Sequence, residues 1–147
     1  MYKKCELETD SGIGIFSLSA IILDRAEPSE ALKANIVWSS GLDQAKKLLC
    51  SKQLDIFKSG GKLTQEVDVK AEKGAYFLYD TISISAKEEK KWLIAADVNQ
   101  SISDIVRIKK RLKTNKNFLG EINNDIETGS RELFQLVGAA DGLRLSA

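Results

Sequence analysis

Apolar and polar positions divide the chain into short alternating runs and a few runs with a period near 3.6. The stretch around which the rest is organised is 75–113. It reads as two apolar strands, 75–85 and 92–98, separated by the charged turn Lys87-Glu88-Glu89-Lys90-Lys91. An amphipathic helix over 102–113 follows, with Ile102, Ile105, Val106, Ile108 and Leu112 on its apolar side and Asn99 or Ser101 as its cap. Upstream, 13–23 is apolar on both alternating sets: Ile13, Ile15, Ile21 and Leu23 on one, Phe16, Leu18, Ala20 and Ile22 on the other. A strand apolar on both sides belongs in the middle of a sheet that is covered on both faces. Residues 2–10 are polar and predict an edge strand or a loosely held end, and a turn over 24–30 carrying Pro28 leads into a strand over 33–39 that pairs with 13–23 as a hairpin.

Ser40 lies three residues before Asp43 and just ahead of Leu42, Ala45, Leu48 and Leu49, a capping-box variant that predicts an amphipathic helix across the sheet. Ser59-Gly60-Gly61 ends that region, and Leu63, Val67 and Val69 alternate with Thr64, Glu66 and Asp68 as a strand with one wet face. Beyond Asn115 and Asn117, residues 118–126 and 131–137 read as one broken or two short helices, followed by a small-residue tail. The expected fold is α/β of the α+β type. A central antiparallel five-stranded sheet is flanked by helices on both faces, in the order β-β-α-β-β-β-α-α. Residues 1–116 form one sheet-and-helix domain, and 117–147 are a helical extension packed on it with a frayed end.

Composition fits that picture. The chain has 147 residues, 43% apolar and 29% charged, with a single proline, which places it in the size and composition range of one globular domain. A net charge of +1 supplies no global field toward nucleic acid or an anionic membrane, so any such contact depends on a local patch. The longest apolar run is 11 residues, against about 20 for a spanning helix. Cys5 and Cys50 have neither the number nor the spacing of a disulfide framework or a zinc knuckle, which suits a reducing, cytoplasmic setting.

The candidate chemistry is mostly negative. There is no histidine, which removes the Ser-His-Asp and Cys-His arrangements, histidine general-base chemistry and the commonest transition-metal ligand. Gly12-Ile13-Gly14-Ile15-Phe16-Ser17 begins like a dinucleotide fingerprint but has serine in place of the third glycine, and apolar residues continue where a helix should open. Gly60-Gly61-Lys62 lacks both the first glycine and the following helix of a phosphate loop. Glu88-Glu89 sits in a charged turn and Asp97 at the end of an apolar strand. The expectation is therefore a non-enzyme without cofactor or metal.

The strongest charge feature is Arg107, Lys109, Lys110, Arg111, Lys113 and Lys116, six cations with no acid among them. Such a face suits an acidic protein partner or an anionic lipid surface as well as it suits plain solvent. Nucleic acid is disfavoured because no aromatic residues are interleaved for base stacking. The acids at 121, 125, 127, 132 and 141 are placed to screen it in cis. Trp92 and Tyr79 join the six cations as candidate partner-binding residues, being aromatic anchors on strands. Trp38 reads as core.

Lys91-Trp92-Leu93-Ile94-Ala95-Ala96-Asp97 followed by Ile102-Ser103-Asp104-Ile105-Val106-Arg107 resembles the terminal strand and helix of the roadblock and longin group. The likeness extends over about two-thirds of the chain, and the longin order is the closer because no helix precedes the first strand. The resemblance implies a non-catalytic module that dimerises and scaffolds or regulates a Ras-like small GTPase or a trafficking or motility complex. Val37-Trp38-Ser39-Ser40-Gly41-Leu42 is similar to the strand that enters the second helix of profilin, which implies instead an actin-binding monomer. A third expectation is a PAS-like sensor, which needs a pocket beneath the sheet.

Overall fold

A computed structural model of the chain describes residues 2–19, 33–114 and 117–141. The fold is α+β, with a five-stranded antiparallel sheet and helices. The sheet contains β1 (Tyr2–Glu8), β2 (Ile13–Ser19), β3 (Ala34–Ser40), β5 (Asp68–Lys70) and β7 (Leu93–Gln100) in the order β5-β1-β2-β3-β7. The strand with two apolar sets, β2, stands at its centre and pairs with β3 as the sequence predicts. The turn over 24–30 lies outside the described residues.

Three expectations are overturned. The strand expected at an edge, β1, is interior, laddered to β2 on one side and to β5 on the other. The predicted helix spanning Leu42, Ala45, Leu48 and Leu49 is instead a tight turn, closed by Ala45 N–H donating to the Leu42 carbonyl, and then the strand β4 (Lys46–Cys50). Leu48, Leu49 and Cys50 are all buried, so successive residues bury side chains on both faces, which a strand between two layers permits. The two strands expected at 75–98 are also not partners. The first is β6 (Gly74–Tyr79), which pairs with β4 in a separate two-stranded ribbon, while β7 pairs with β3. Residues 80–92 between them are irregular.

Registers define the faces of the main sheet, because residues opposite each other across a ladder share a face. On one, the upper face, Val69, Cys5, Phe16 and Asn35 form a row across β5, β1, β2 and β3. Leu7, Gly14, Val37 and Ala96 form a second row across β1, β2, β3 and β7. The ribbon packs over the β1–β2 part of this face, where Leu49 joins Cys5 and Leu7 in a buried cluster with Phe16, Val69 and Tyr76 around it. Gly74 allows the close approach: a Cβ there would stand 2.6 Å from the Phe16 ring and 3.1 Å from the Cys5 sulfur. The Tyr76 hydroxyl donates to the Gly12 carbonyl at 2.8 Å, fixing ribbon to sheet.

The lower face carries Ile13, Ile36 and Trp38, all buried, with Glu8 opposite Ile13. Helix α2 (Ile102–Thr114) begins with a reciprocal cap. The Ser101 hydroxyl accepts from Asp104 N–H at 3.3 Å, and the Asp104 carboxylate accepts from Ser101 N–H at 3.1 Å. The Ser101 hydroxyl also donates to the Asp104 carboxylate at 2.6 Å, and this bond, with the one from Ser101 N–H, holds the Asp104 carboxyl below its usual range. Ile108 is the buried residue of this helix, and Lys109 binds Glu8 at 2.6 Å, tying the helix to the lower face.

The turn from β4 is anchored by one carboxylate. Glu66 Oε2 accepts from Leu49 N–H at 2.6 Å and Cys50 N–H at 3.0 Å, and Oε1 accepts from Gln53 Nε2 at 2.8 Å. Burial pushes the Cys50 thiol above its ordinary value. A five-residue helix, α1 (Leu54–Lys58), follows.

The chain divides into two compact units, Met1–Lys110 and Arg111–Ala147. The second is dominated by α3 (Phe118–Asp141), one continuous 24-residue helix where the sequence left a broken one open. Gly129 and Gly138 are accommodated within it, each costing roughly 1 kcal/mol relative to alanine.

Candidate functional site

The basic helix reads differently once its partners are known. Arg107 bonds Asp104 at 2.9 Å, and Lys109 bonds both Glu8 at 2.6 Å and Asp10 at 3.3 Å. Glu8 feels burial, which raises its pKa, but the hydrogen bonds from Lys109 and Ser11 outweigh that and hold it below the usual glutamate value. The bond to Glu8 raises Lys109 in turn. In the second unit Arg111 bonds Glu121 at 2.9 Å and stacks over the Phe118 ring, so one of the acids placed to screen the cations does so. Lys110 and Lys113 are exposed and have interactions of their own, and Lys116 lies outside the described residues. Three of the six cations thus already have carboxylate partners in the same chain.

Tyr79 is half-buried on the ribbon, edge-on to Phe57 at 6.1 Å between ring centroids, with Lys46 over its ring at 5.9 Å. Trp92, in contrast, is 49% exposed, and it leads into a larger surface. Along β7 the residues alternate. Leu93, Ala95 and Asp97 are half-buried, while Ile94, Ala96 and Val98 are exposed, Ile94 by 50% and Val98 by 65%. The ribbon that covers β1 and β2 leaves this part of the upper face open. β7 is also the last strand in its sheet, with β3 as its only ladder partner among the described residues.

This edge carries one charged side chain, Asp97, and no proline. Its irregularity, a register shift and a left-handed Asn99 (φ 59°), falls at the C-terminal end and leaves Leu93–Asp97 in regular register with β3. Soluble proteins usually blunt such edges with lysine, proline or a central bulge, because free backbone N–H and C=O groups recruit another strand. Sequence reasoning singled out Trp92 and missed Ile94 and Val98. Their period-2 spacing with Trp92 was visible, but which face would remain uncovered depended on the ribbon. In the second unit, Ile126, Leu133, Phe134 and Leu136 of α3 are exposed as well.

A cleft of about 360 Å³ opens on the upper face between β6 and the sheet, with Phe16, Asn35, Val37, Lys73 and Tyr76 among its walls. Burial raises the Tyr76 phenol, whose oxygen also lies 3.3 Å from Ser39 Oγ, so it remains neutral in the physiological range. Among the described residues no three His, Cys, Asp or Glu side chains gather as a metal site, and no helix is long and apolar enough to cross a membrane. No family model matches the chain, and no curated protein matches it.

Proposed function

We propose that this protein is a cytoplasmic, non-catalytic protein-interaction module of the roadblock or longin kind, and that its contact surface is the free edge and exposed apolar side of β7. The observation that carries this reading is the outer edge of β7, nearly uncharged and without a ladder partner among the described residues, with Trp92, Ile94 and Val98 exposed beside it. An incoming strand would bond the outward backbone groups of β7 and bury Ile94 and Val98 against its own side chains, the mode known as β-augmentation. The partners implied by the resemblance are a second copy of the chain and a Ras-like small GTPase or trafficking complex. Self-pairing is geometrically consistent: antiparallel β7 strands related by a two-fold axis at Ala96 set Ile94 of each opposite Val98 of the other.

The in-chain ion pairs of Arg107, Lys109 and Arg111 favour β7 over the basic helix as the contact surface, since a new acidic partner would have to displace existing ones. Binding to a small GTPase of the same source should be lost in Ile94→Lys and retained in Lys110→Glu. The opposite pattern would return the contact surface to α2. A chain that instead stays monomeric and binds actin would replace this reading with the profilin-like one.

A further inference from the structure

We infer that the cleft between β6 and the main sheet is a binding site for a small monocarboxylate with an apolar body, such as a medium-chain acid. This goes beyond the interaction surface, from which it is distinct, and rests on the balance of donors and acceptors in the cleft.

The volume, about 360 Å³, falls at the lower end of the range of roughly 300–1,000 Å³ typical of small-molecule sites. The floor comes from the upper face of the sheet: Phe16 and Asn35 are register neighbours on β2 and β3, and Val37 follows two residues on. The wall is the start of β6, ending in the Tyr76 ring. Carbon dominates this lining, so an apolar ligand body gains by leaving water. The glycine at 74 sets the depth, because any side chain there would collide with Phe16.

The polar groups give the sign of the ligand. Among the described residues no Asp or Glu lines the cleft, while two lysines do. Lys4 is bound to Glu6 at 2.6 Å and is not the free cation. Lys73 is exposed at the mouth. Asn35 accepts from Asn99 N–H through Oδ1 at 3.3 Å, which leaves its NH₂ group as a donor. The Tyr76 hydroxyl already donates to Gly12. What remains to meet a ligand is an ammonium, an amide donor and the neutral Ser17 hydroxyl, with no carboxylate among the described residues to repel an anion. A ligand with one carboxylate head and an apolar tail satisfies both parts, whereas a cation meets only like charge.

The test uses the full chain, labelled with ¹⁵N and titrated separately with decanoate, decanol and decyltrimethylammonium. Decanoate should bind with amide shifts centred on Phe16, Asn35 and Ala75. Lys73→Glu, a change at an exposed position, should weaken decanoate by about tenfold, the size of one charge-assisted contact, and leave decanol unaffected. Asn35→Trp, at an exposed floor position, should block decanoate and decanol together. The inference is overturned if decyltrimethylammonium binds as tightly as decanoate, if Lys73→Glu leaves decanoate affinity unchanged, or if the shifts fall on Ile94 and Val98 instead. That last pattern would mark nonspecific adsorption to the β7 surface and would leave the interaction reading standing.

Discussion

Glu66→Ala removes the single carboxylate that holds the turn after β4. Two of the four donors it serves, the N–H groups of Leu49 and Cys50, belong to residues with 0% and 1% exposure, so water cannot readily replace the lost acceptor; the Cys50 thiol is a third, weak donor at 3.5 Å. A buried donor left unpaired costs about 1–3 kcal/mol. The fourth donor, Gln53 Nε2, sits where water reaches it and also bonds the Thr64 carbonyl, so its loss adds little. Partial relaxation of the half-buried site places the total at about 2–4 kcal/mol. Glu66→Gln discriminates the cause. A glutamine carbonyl in the place of Oε2 keeps both backbone bonds, but its NH₂ then faces Gln53 Nε2, donor against donor, which costs about 1 kcal/mol. Urea unfolding followed by tryptophan fluorescence, with an unchanged m-value, measures both. If Glu66→Ala costs less than 1 kcal/mol, or if the two variants are equally destabilised, Glu66 is not serving buried donors and the reasoning fails.

Two further outcomes follow from local geometry. Gly41 has φ +92°, and a Cβ there would lie 2.4 Å from the Lys91 carbonyl oxygen, so Gly41→Ala should cost about 1–3 kcal/mol or more in a thermal melt. Gly60, with φ +78° and open space around it, should cost only the left-handed penalty of about 1–2 kcal/mol when made alanine; equal losses at the two sites would show that the collision at Gly41 is relieved. The Lys109–Glu8 pair should make stability acid-sensitive. Because the folded-state pKa of Glu8 lies below the ordinary value, its contribution is present above that ordinary value and is lost as pH falls through the folded one. Glu8→Gln should therefore flatten the fall in melting temperature on acidification, and an unchanged pH profile would remove the pair from the stability balance.

Much of the fold was legible where one physical signal dominated. The two apolar sets of Ile13 to Leu18 placed β2 at the centre of the sheet, and the spacing of Ile105, Ile108 and Leu112 placed α2 to within a residue at its C-terminal end. The stretch from Leu42 to Leu49 was misread because a buried strand and a buried helix face are indistinguishable over a few apolar residues. Its layering against β1 decided the matter, and that contact is long-range. The strand expected over 75–85 likewise ends at Tyr79, and no ladder partner reaches Ile82 and Ile84 among the described residues. For the site, Trp92 was singled out in sequence and is half exposed, whereas the open side of β7 and the cleft at Asn35 and Lys73 arise from where the ribbon stops. The cations of α2 were visible in sequence, and Arg107 and Arg111 find nearby acids in Asp104 and Glu121, but the carboxylate partners of Lys109, Glu8 and Asp10, are about a hundred residues away.

The decisive measurement is the solution mass by light scattering, for the natural chain and for Ile94→Lys, with a melt of each to show that both are folded. Ile94 is half exposed, so the lysine should change stability by no more than about 0.5 kcal/mol. The natural chain is expected to be a dimer and Ile94→Lys a folded monomer. A natural chain that is monomeric at all concentrations, or a lysine variant that remains dimeric, would contradict pairing through the edge of β7.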